Sequence, residues 1–204
     1  AAPVLADSFV CNCTSAVGNM DLTPVRVCVG DTLRGKYLGG ENLDGDDIVV
    51  FVMHTGQLPS GILATNTAPV FAYQTAWAPG GTYFISALVG SKSSNDLPNL
   101  ADRCLVFSPG TPVEINPRPS ALLSGSGSLC AGQCAELSFD FVGTGPFSLV
   151  YTEGNIQRQI NSATANFRQT VCPNTTTTYQ LVQVNDALCP APADGTAQLV
   201  VETP

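Results

Sequence analysis

Pro173-Asn-Thr-Thr-Thr-Thr-Tyr-Gln-Leu-Val-Gln-Val-Asn-Asp-Ala-Leu-Cys189 decides the fold class. Its Pro-Asn start is a turn signal, its threonines and β-branched residues favour a pleated strand, and a cysteine stands just past that strand. Pro79-Gly-Gly-Thr-Tyr-Phe-Ile-Ser-Ala-Leu-Val89 repeats the device and is followed, after a longer loop, by Cys104. One strand-and-cysteine device used twice predicts two copies of a module.

Upstream of the first stretch the pattern is easily read. Ala135-Glu-Leu-Ser-Phe-Asp-Phe141 alternates, with Leu137, Phe139 and Phe141 on one face and Glu136, Ser138 and Asp140 on the other. That is a strand with one wet face. Gly143-Thr-Gly-Pro146 turns the chain into Phe147–Thr152, and Glu153-Gly-Asn155 makes a hairpin turn into Ile156–Ile160. Ala165–Val171 and Gly195–Glu202 complete the set. In the first half, Val25–Cys28, Val70–Thr75, Thr82–Val89, Cys104–Phe107 and Pro112–Ile115 read as strands. Ile48-Val-Val-Phe-Val-Met53 is an apolar run short enough for a buried strand. Residues 1–10 read as an extended leading segment or first strand, and the polar stretch through Pro24 as a loop. No segment sustains a period of 3.6. Short strands at regular spacing predict an antiparallel β-sandwich.

Asn116-Pro-Arg-Pro-Ser120 forbids helix and favours a stiff, extended spacer that couples the modules rigidly. The expected division is therefore 1–116 and 117–204: two tandem, immunoglobulin-like β-sandwich domains, all-β. With 204 residues, each half can bury a core but is small enough for cross-links to help. Net charge is −8, with five basic and ten acidic residues in 1–116 and three basic and six acidic in 117–204. Acid on both halves argues against nucleic acid and anionic membranes as partners. No apolar run is long enough to span a membrane. Ala1-Ala-Pro lacks a basic-then-apolar leader, as in mature or excised material.

Eight cysteines accompany a single histidine. Cys11-x-Cys13 and Cys130-x₃-Cys134 lack the partner pairs of a zinc site, so the cysteines read as disulfides in an oxidising compartment. Superposing the halves aligns Cys28 with Cys130 and Cys104 with Cys189, which predicts equivalent bridges Cys28–Cys104 and Cys130–Cys189. Cys134 and Cys172 have no counterparts and are expected to pair with each other. Cys11 and Cys13 then bond each other, or the first module pairs Cys13–Cys28 and Cys11–Cys104 instead. With a bridge at Cys172 as well as Cys189, the second module is expected to be the stiffer.

Leu129-Cys-Ala-Gly132, Gly143-Thr-Gly-Pro-Phe-Ser-Leu-Val-Tyr151, Pro173–Tyr179 and Asn185-Asp-Ala-Leu-Cys189 resemble the immunoglobulin-like repeats of very large surface adhesins. Gliding bacteria secrete those adhesins through the type IX system. Leu43-Asp-Gly-Asp-Asp47, Phe51-Val-Met-His-Thr55 and Thr82-Tyr-Phe-Ile-Ser-Ala87 resemble the companion repeat beside it. The resemblance implies a structural protein of the bacterial cell surface or a secreted filament, its partners being neighbouring copies or repeats placed end to end. It carries over no catalytic residue. The Cys134/Cys172 pair departs from the repeat pattern.

Few residues invite chemistry. Glu41, Asp44, Asp46 and Asp47 form the one candidate calcium site, because calcium takes several oxygens from a flexible loop. The twelve-residue calcium-loop pattern is not met, and the stretch also reads as a solvated acidic turn, so no cofactor is expected by default. His54 has no nucleophile motif or orienting carboxylate nearby and reads as a strand-edge histidine. Ser124-Gly-Ser-Gly-Ser128 lacks the Gly-x-Ser-x-Gly order of a nucleophile elbow and reads as a loop. Asn12-Cys-Thr14 and Asn174-Thr-Thr176 are formal glycosylation sequons, turn residues in a bacterial host. Phe71, Tyr73, Trp77 and Tyr83 could form a sugar platform, although alternation on strands favours core packing. The expectation is a non-enzyme: a mechanically robust structural unit. The alternative is a carbohydrate- or protein-binding module using loops 39–47 and 91–102.

Overall fold

β-Branched and aromatic residues punctuated by Gly, Pro and Asn-Asp turns form strands throughout the computed structural model, which describes residues 13–94 and 97–202. No helix occurs among these residues. The leading segment 1–10, Cys11, the Asn12 sequon, Asn95-Asp96 in the 91–102 loop and the final Thr203-Pro204 lie outside them. The chain divides between Ile115 and Asn116 into two units, Ala1–Ile115 and Asn116–Pro204.

The first unit holds β1 (Ala16–Met20), β2 (Val25–Cys28), β3 (Thr32–Arg34), β4 (Tyr37–Asn42), β5 (Asp47–His54), β6 (Ile62–Asn66), β7 (Val70–Ala72), β8 (Tyr83–Ser91), β9 (Val106–Phe107) and β10 (Thr111–Asn116). One sheet runs β2-β10-β8-β5-β6, with β9 on β8, and the pairs β1-β4 and β3-β7 lie apart from it. The second unit holds β11 (Ser120–Ser124), β12 (Gly127–Cys130), β13 (Ala135–Val142), β14 (Phe147–Glu153), β15 (Ile156–Ser162), β16 (Asn166–Val171), β17 (Thr177–Asn185), β18 (Pro190–Pro192) and β19 (Thr196–Glu202). Its sheets are β11-β13-β16 and β12-β19-β17-β14-β15, with β18 on β17.

The strand orders match. In each unit a short early strand, β2 or β12, lies beside the last one, which lies beside the long strand the sequence flagged, β8 or β17. Tyr83 begins β8 and Tyr179 is the third residue of β17, and both are buried. The Tyr83 hydroxyl donates back to the Ala78 carbonyl at 3.2 Å, the corner expected where such a strand enters a sandwich.

The cores differ. In Asn116–Pro204, Leu137, Phe139 and Phe141 of one sheet pack on Leu149, Tyr151, Tyr179, Leu181 and Leu199 of the other. Phe139 and Tyr151 lie with ring centroids 5.4 Å apart. In the first unit the large sheet is covered on both faces. Phe51, Met53, Ile85, Ala87 and Val89 enter the main core with Leu33, Phe71 and Trp77. Val50, Val52 and Leu88 face the other way, under Leu58, Leu105 and Phe107. Two covered faces explain why Ile48–Met53 does not alternate.

Seven strands, β1, β3, β4, β6, β11, β12 and β18, stand where the sequence showed none or a loop. β1 pairs antiparallel with β4 through the Gly-bearing stretches Ala16–Met20 and Tyr37–Asn42, with a register break between Asn19 and Met20. Gly18, Gly39 and Gly40 have φ of 71°, 78° and 92°. A Cβ on Gly18 would collide with the Tyr37 hydroxyl, so glycine is needed there. β11 and β12 flank the serine-glycine stretch, which is the point where the chain crosses from one sheet to the other.

The disulfides correct the expected pairing. Cys104 bonds Cys13, with an S–S distance of 2.04 Å, so neither Cys28–Cys104 nor Cys11–Cys13 forms, and Cys13–Cys28 with Cys11–Cys104 is excluded too. Cys130 is an exposed free thiol, which excludes Cys130–Cys189. Cys28 and Cys189 are themselves disulfide-bonded. The physical reason is strand direction. β12 runs parallel to β19, opposing Cys130 to Glu202 at the end of that strand. Cys189 precedes β18, seven residues before β19 begins at Thr196. The length of β19, roughly 20 Å, separates the two ends, far beyond the reach of a disulfide. Cys28 likewise ends β2, beside the last strand of its unit, while Cys104 precedes β9. Cys134 bonds Cys172. These cysteines lie one step beyond the Ala135–Val171 pair of β13 and β16.

Candidate functional site

The β4–β5 turn gathers the acidic residues. Asp47 begins β5 opposite Ser91 of β8, and the Asp47 N–H donates to the Asp44 carbonyl at 3.1 Å. One oxygen from each of Asp44, Asp46 and Asp47 lies within 4.8 Å of the others. Oδ2 of Asp47 is buried without a hydrogen-bond partner. Oxygens so arranged suit a hard divalent cation. Glu41 does not join them. It accepts the Tyr37 hydroxyl at 2.7 Å. That bond holds the Glu41 carboxyl below its usual range, while burial, with Glu41 adding to it, pushes the Tyr37 phenol up to about 12.

The structure also brings together the two loops named from sequence. The Lys92 N–H donates to the Asp46 carbonyl at 2.9 Å, placing the loop after β8 against the acidic turn. Asp102 organises that loop. Its Oδ2 accepts the N–H and hydroxyl of Ser91 at 2.8 and 2.6 Å, and its Oδ1 accepts the Cys104 N–H at 2.9 Å. The Ser91 hydroxyl, foremost, and these backbone donors hold Asp102 below the usual carboxylate range. The Cys13–Cys104 bridge then ties the loop to the segment before β1.

Asp186 repeats this role in the other unit. Its Oδ1 accepts the N–H of Leu188 and of Cys189, and its Oδ2 that of Thr144. Burial raises its pKa, but these donors more than offset it, and the carboxyl sits low. The sequence reading passed over both residues. An aspartate two or three places before a loop cysteine was the available signal.

His54 is buried in β5, only 4% exposed. Its Nδ1 accepts the Gly56 N–H at 3.0 Å, which leaves the proton on Nε2. Nε2–H therefore donates to Ser86 Oγ at 2.9 Å. Phe84 stacks on the ring, and desolvation lowers its pKa. A histidine that donates to a serine is in the wrong tautomer to take its proton, so this pair is structural. Phe71, Trp77 and Tyr83 are buried, and half-buried Tyr73 meets Trp77 edge-on. They are core, and they form no sugar platform. Asn174 is exposed in the turn before β17.

No family model and no curated protein matches the chain. Among solved structures, it is similar to fibronectin(III)-like modules of CbhA from Clostridium thermocellum. That match has 14% identity, spans 91% of this chain and 94% of the other, and has a TM-score of 0.37. The immunoglobulin domains 1–5 of Sidekick-1 match at 16% identity, over 93% of this chain and 42% of that one, with a TM-score of 0.29. Strand order carries the fold assignment: the class is a pair of immunoglobulin-like β-sandwich units cross-linked by disulfides.

Proposed function

We propose that the chain is a structural repeat or subunit of an extracellular bacterial surface fibre or adhesin, and that it works mechanically. The placement of its bridges carries this reading. Cys13–Cys104 spans 91 residues, nearly the whole first unit, so tension applied outside it can draw out only the few residues on either side. Cys134–Cys172 closes 38 residues and locks β13 to β16. In the chain-entropy model the two contribute roughly 4.5 and 4 kcal/mol. Bridges persist in oxidising compartments, in keeping with a cell-surface location. The expectation of a stiffer second unit loses its ground, since Cys130–Cys189 is absent and the longer bridge is in the first.

Single-molecule extension tests the reading. At about 3.5 Å per residue, full reduction is expected to lengthen the extended chain by at least ~320 Å for Cys13–Cys104 and ~130 Å for Cys134–Cys172. Equal extension with and without reductant would sink it.

The second reading is a module that binds surface glycans or proteins. The contact between the acidic turn and the loop after β8 favours it, because two loops at one end of a unit make a composite surface. Binding that Asp44→Ala/Asp46→Ala abolishes, with melting unchanged, would support it.

A further inference from the structure

The threonine run that decides the fold class also builds one wall of a cleft. Residues 172–178 face the β14–β15 turn and the start of β15 across a space of about 720 Å³. Small-molecule sites typically enclose roughly 300–1,000 Å³. Both walls are held by bonds of the fold. The Gly154 N–H donates to the Thr178 carbonyl at 2.8 Å, which ties one wall to the other. The Thr177 hydroxyl donates to the Thr175 carbonyl at 2.8 Å, and Thr176 Oγ1 accepts the Val201 N–H at 3.1 Å. Cys172 is anchored through its bridge to Cys134, and Pro173 is buried. Walls fixed in this way lower the ordering cost of binding.

The lining is polar and carries no net charge. Its charged residues are Glu153 and Arg158, and Arg158 Nε donates to Glu153 Oε2 at 3.0 Å, so the two charges offset each other. The pair keeps bonding capacity. The terminal N–H groups of Arg158 meet no acceptor among the described residues, and Glu153 Oε1 accepts only a long bond, 3.5 Å, from the Tyr179 hydroxyl. Asn155 and Asn174 are exposed, and their side-chain amides make no hydrogen bond among the described residues. Beside them Ile156 is 56% exposed. Donors and acceptors side by side suit hydroxyl groups, which act as both, and a bare aliphatic side chain suits the C–H face of a sugar ring. An anionic ligand would bring its charge against Glu153 as well as Arg158. We propose that this cleft binds an uncharged oligosaccharide, with Asn155, Arg158 and Asn174 bonding its hydroxyls and Ile156 covering a ring face. The site belongs to the second unit, whereas the acidic turn belongs to the first. It goes beyond both functional readings above and requires neither.

The test is an NMR titration of the isotope-labelled 204-residue chain. The probes are cellohexaose, maltohexaose and mannohexaose, with the hexamer of galacturonic acid as the charged control. At concentrations that saturate a millimolar site, at least one neutral sugar is expected to shift the backbone amides of 153–158 and 174–178. Arg158→Ala, and separately Asn155→Ala/Asn174→Ala, are each expected to weaken that binding roughly tenfold, the loss of one charge-assisted or two neutral hydrogen bonds. The asparagine variant removes no bond of the fold, so it decides the matter even if Arg158→Ala lowers the melting temperature. Silence from every neutral sugar overturns the proposal. Shifts confined to 39–47 and 91–102 overturn it in favour of the loop surface of the first unit. Binding that both variants leave intact, or tighter binding of the galacturonate, overturns it as well.

Discussion

His54 shows how burial sets a residue's response to pH. Desolvation lowers its folded pKa, so the unfolded chain takes up a proton first. Stability is therefore full above the ordinary histidine value of about 6.5 and is lost as pH falls through the lowered folded value. Denaturant titrations at pH 7.5, 6 and 5 are expected to show that decline, and His54→Gln to remove it. Asp102 and Asp186 act at lower pH. Their lowered carboxyls add stability that is present above about 3.9 and lost as pH falls through their folded values. The acidic turn makes a third prediction. If calcium occupies Asp44, Asp46 and Asp47, 1 mM of it stabilises the wild type by roughly 1 kcal/mol and leaves Asp44→Asn/Asp46→Asn unmoved. An identical calorimetric response in both would make the loop a solvated turn. The cluster was legible because three carboxylates sit within four residues. The loss of Glu41 to Tyr37 was not, since it depends on the positive-φ backbone at Gly39 and Gly40 between them.

At the scale of elements, the sheet crossover at Gly125 is the sharpest constraint. Its φ is +125°, and a Cβ there would stand 2.6 Å from the Glu136 carbonyl oxygen. Gly125→Ala is expected to cost about 2–3 kcal/mol in chemical unfolding of the second unit, whereas Gly132→Ala, with open space around it, meets only backbone strain. Strands with strong patterns could be read directly: β13 alternates, and β5 is a continuous apolar run. β1, β4, β11 and β12 could not, because glycine, serine and asparagine in them signal turns locally. Neighbouring strands impose the extended form there, and β-propensity yields to such tertiary context.

For the molecule as a whole, each unit has its own core, with Leu137, Phe139 and Tyr151 in one cluster and Phe51, Met53 and Trp77 in another. Residues 116–204 expressed alone are therefore expected to melt cooperatively, checked by circular dichroism and calorimetry. A broad, non-cooperative transition would show that the second unit cannot fold without the first. The sequence by itself determined the all-β class, the doubling, the place of the proline spacer, and the equivalence of Cys28 with Cys130 and of Cys104 with Cys189. These follow from local periodicity and turn chemistry. Only the tertiary structure decided which sulfurs bond. Equivalent positions are not adjacent positions, and the parallel run of β12 along β19 puts Cys130 and Cys189 at opposite ends of a sandwich. A bond of about 2 Å forms only where strand direction brings two cysteines together.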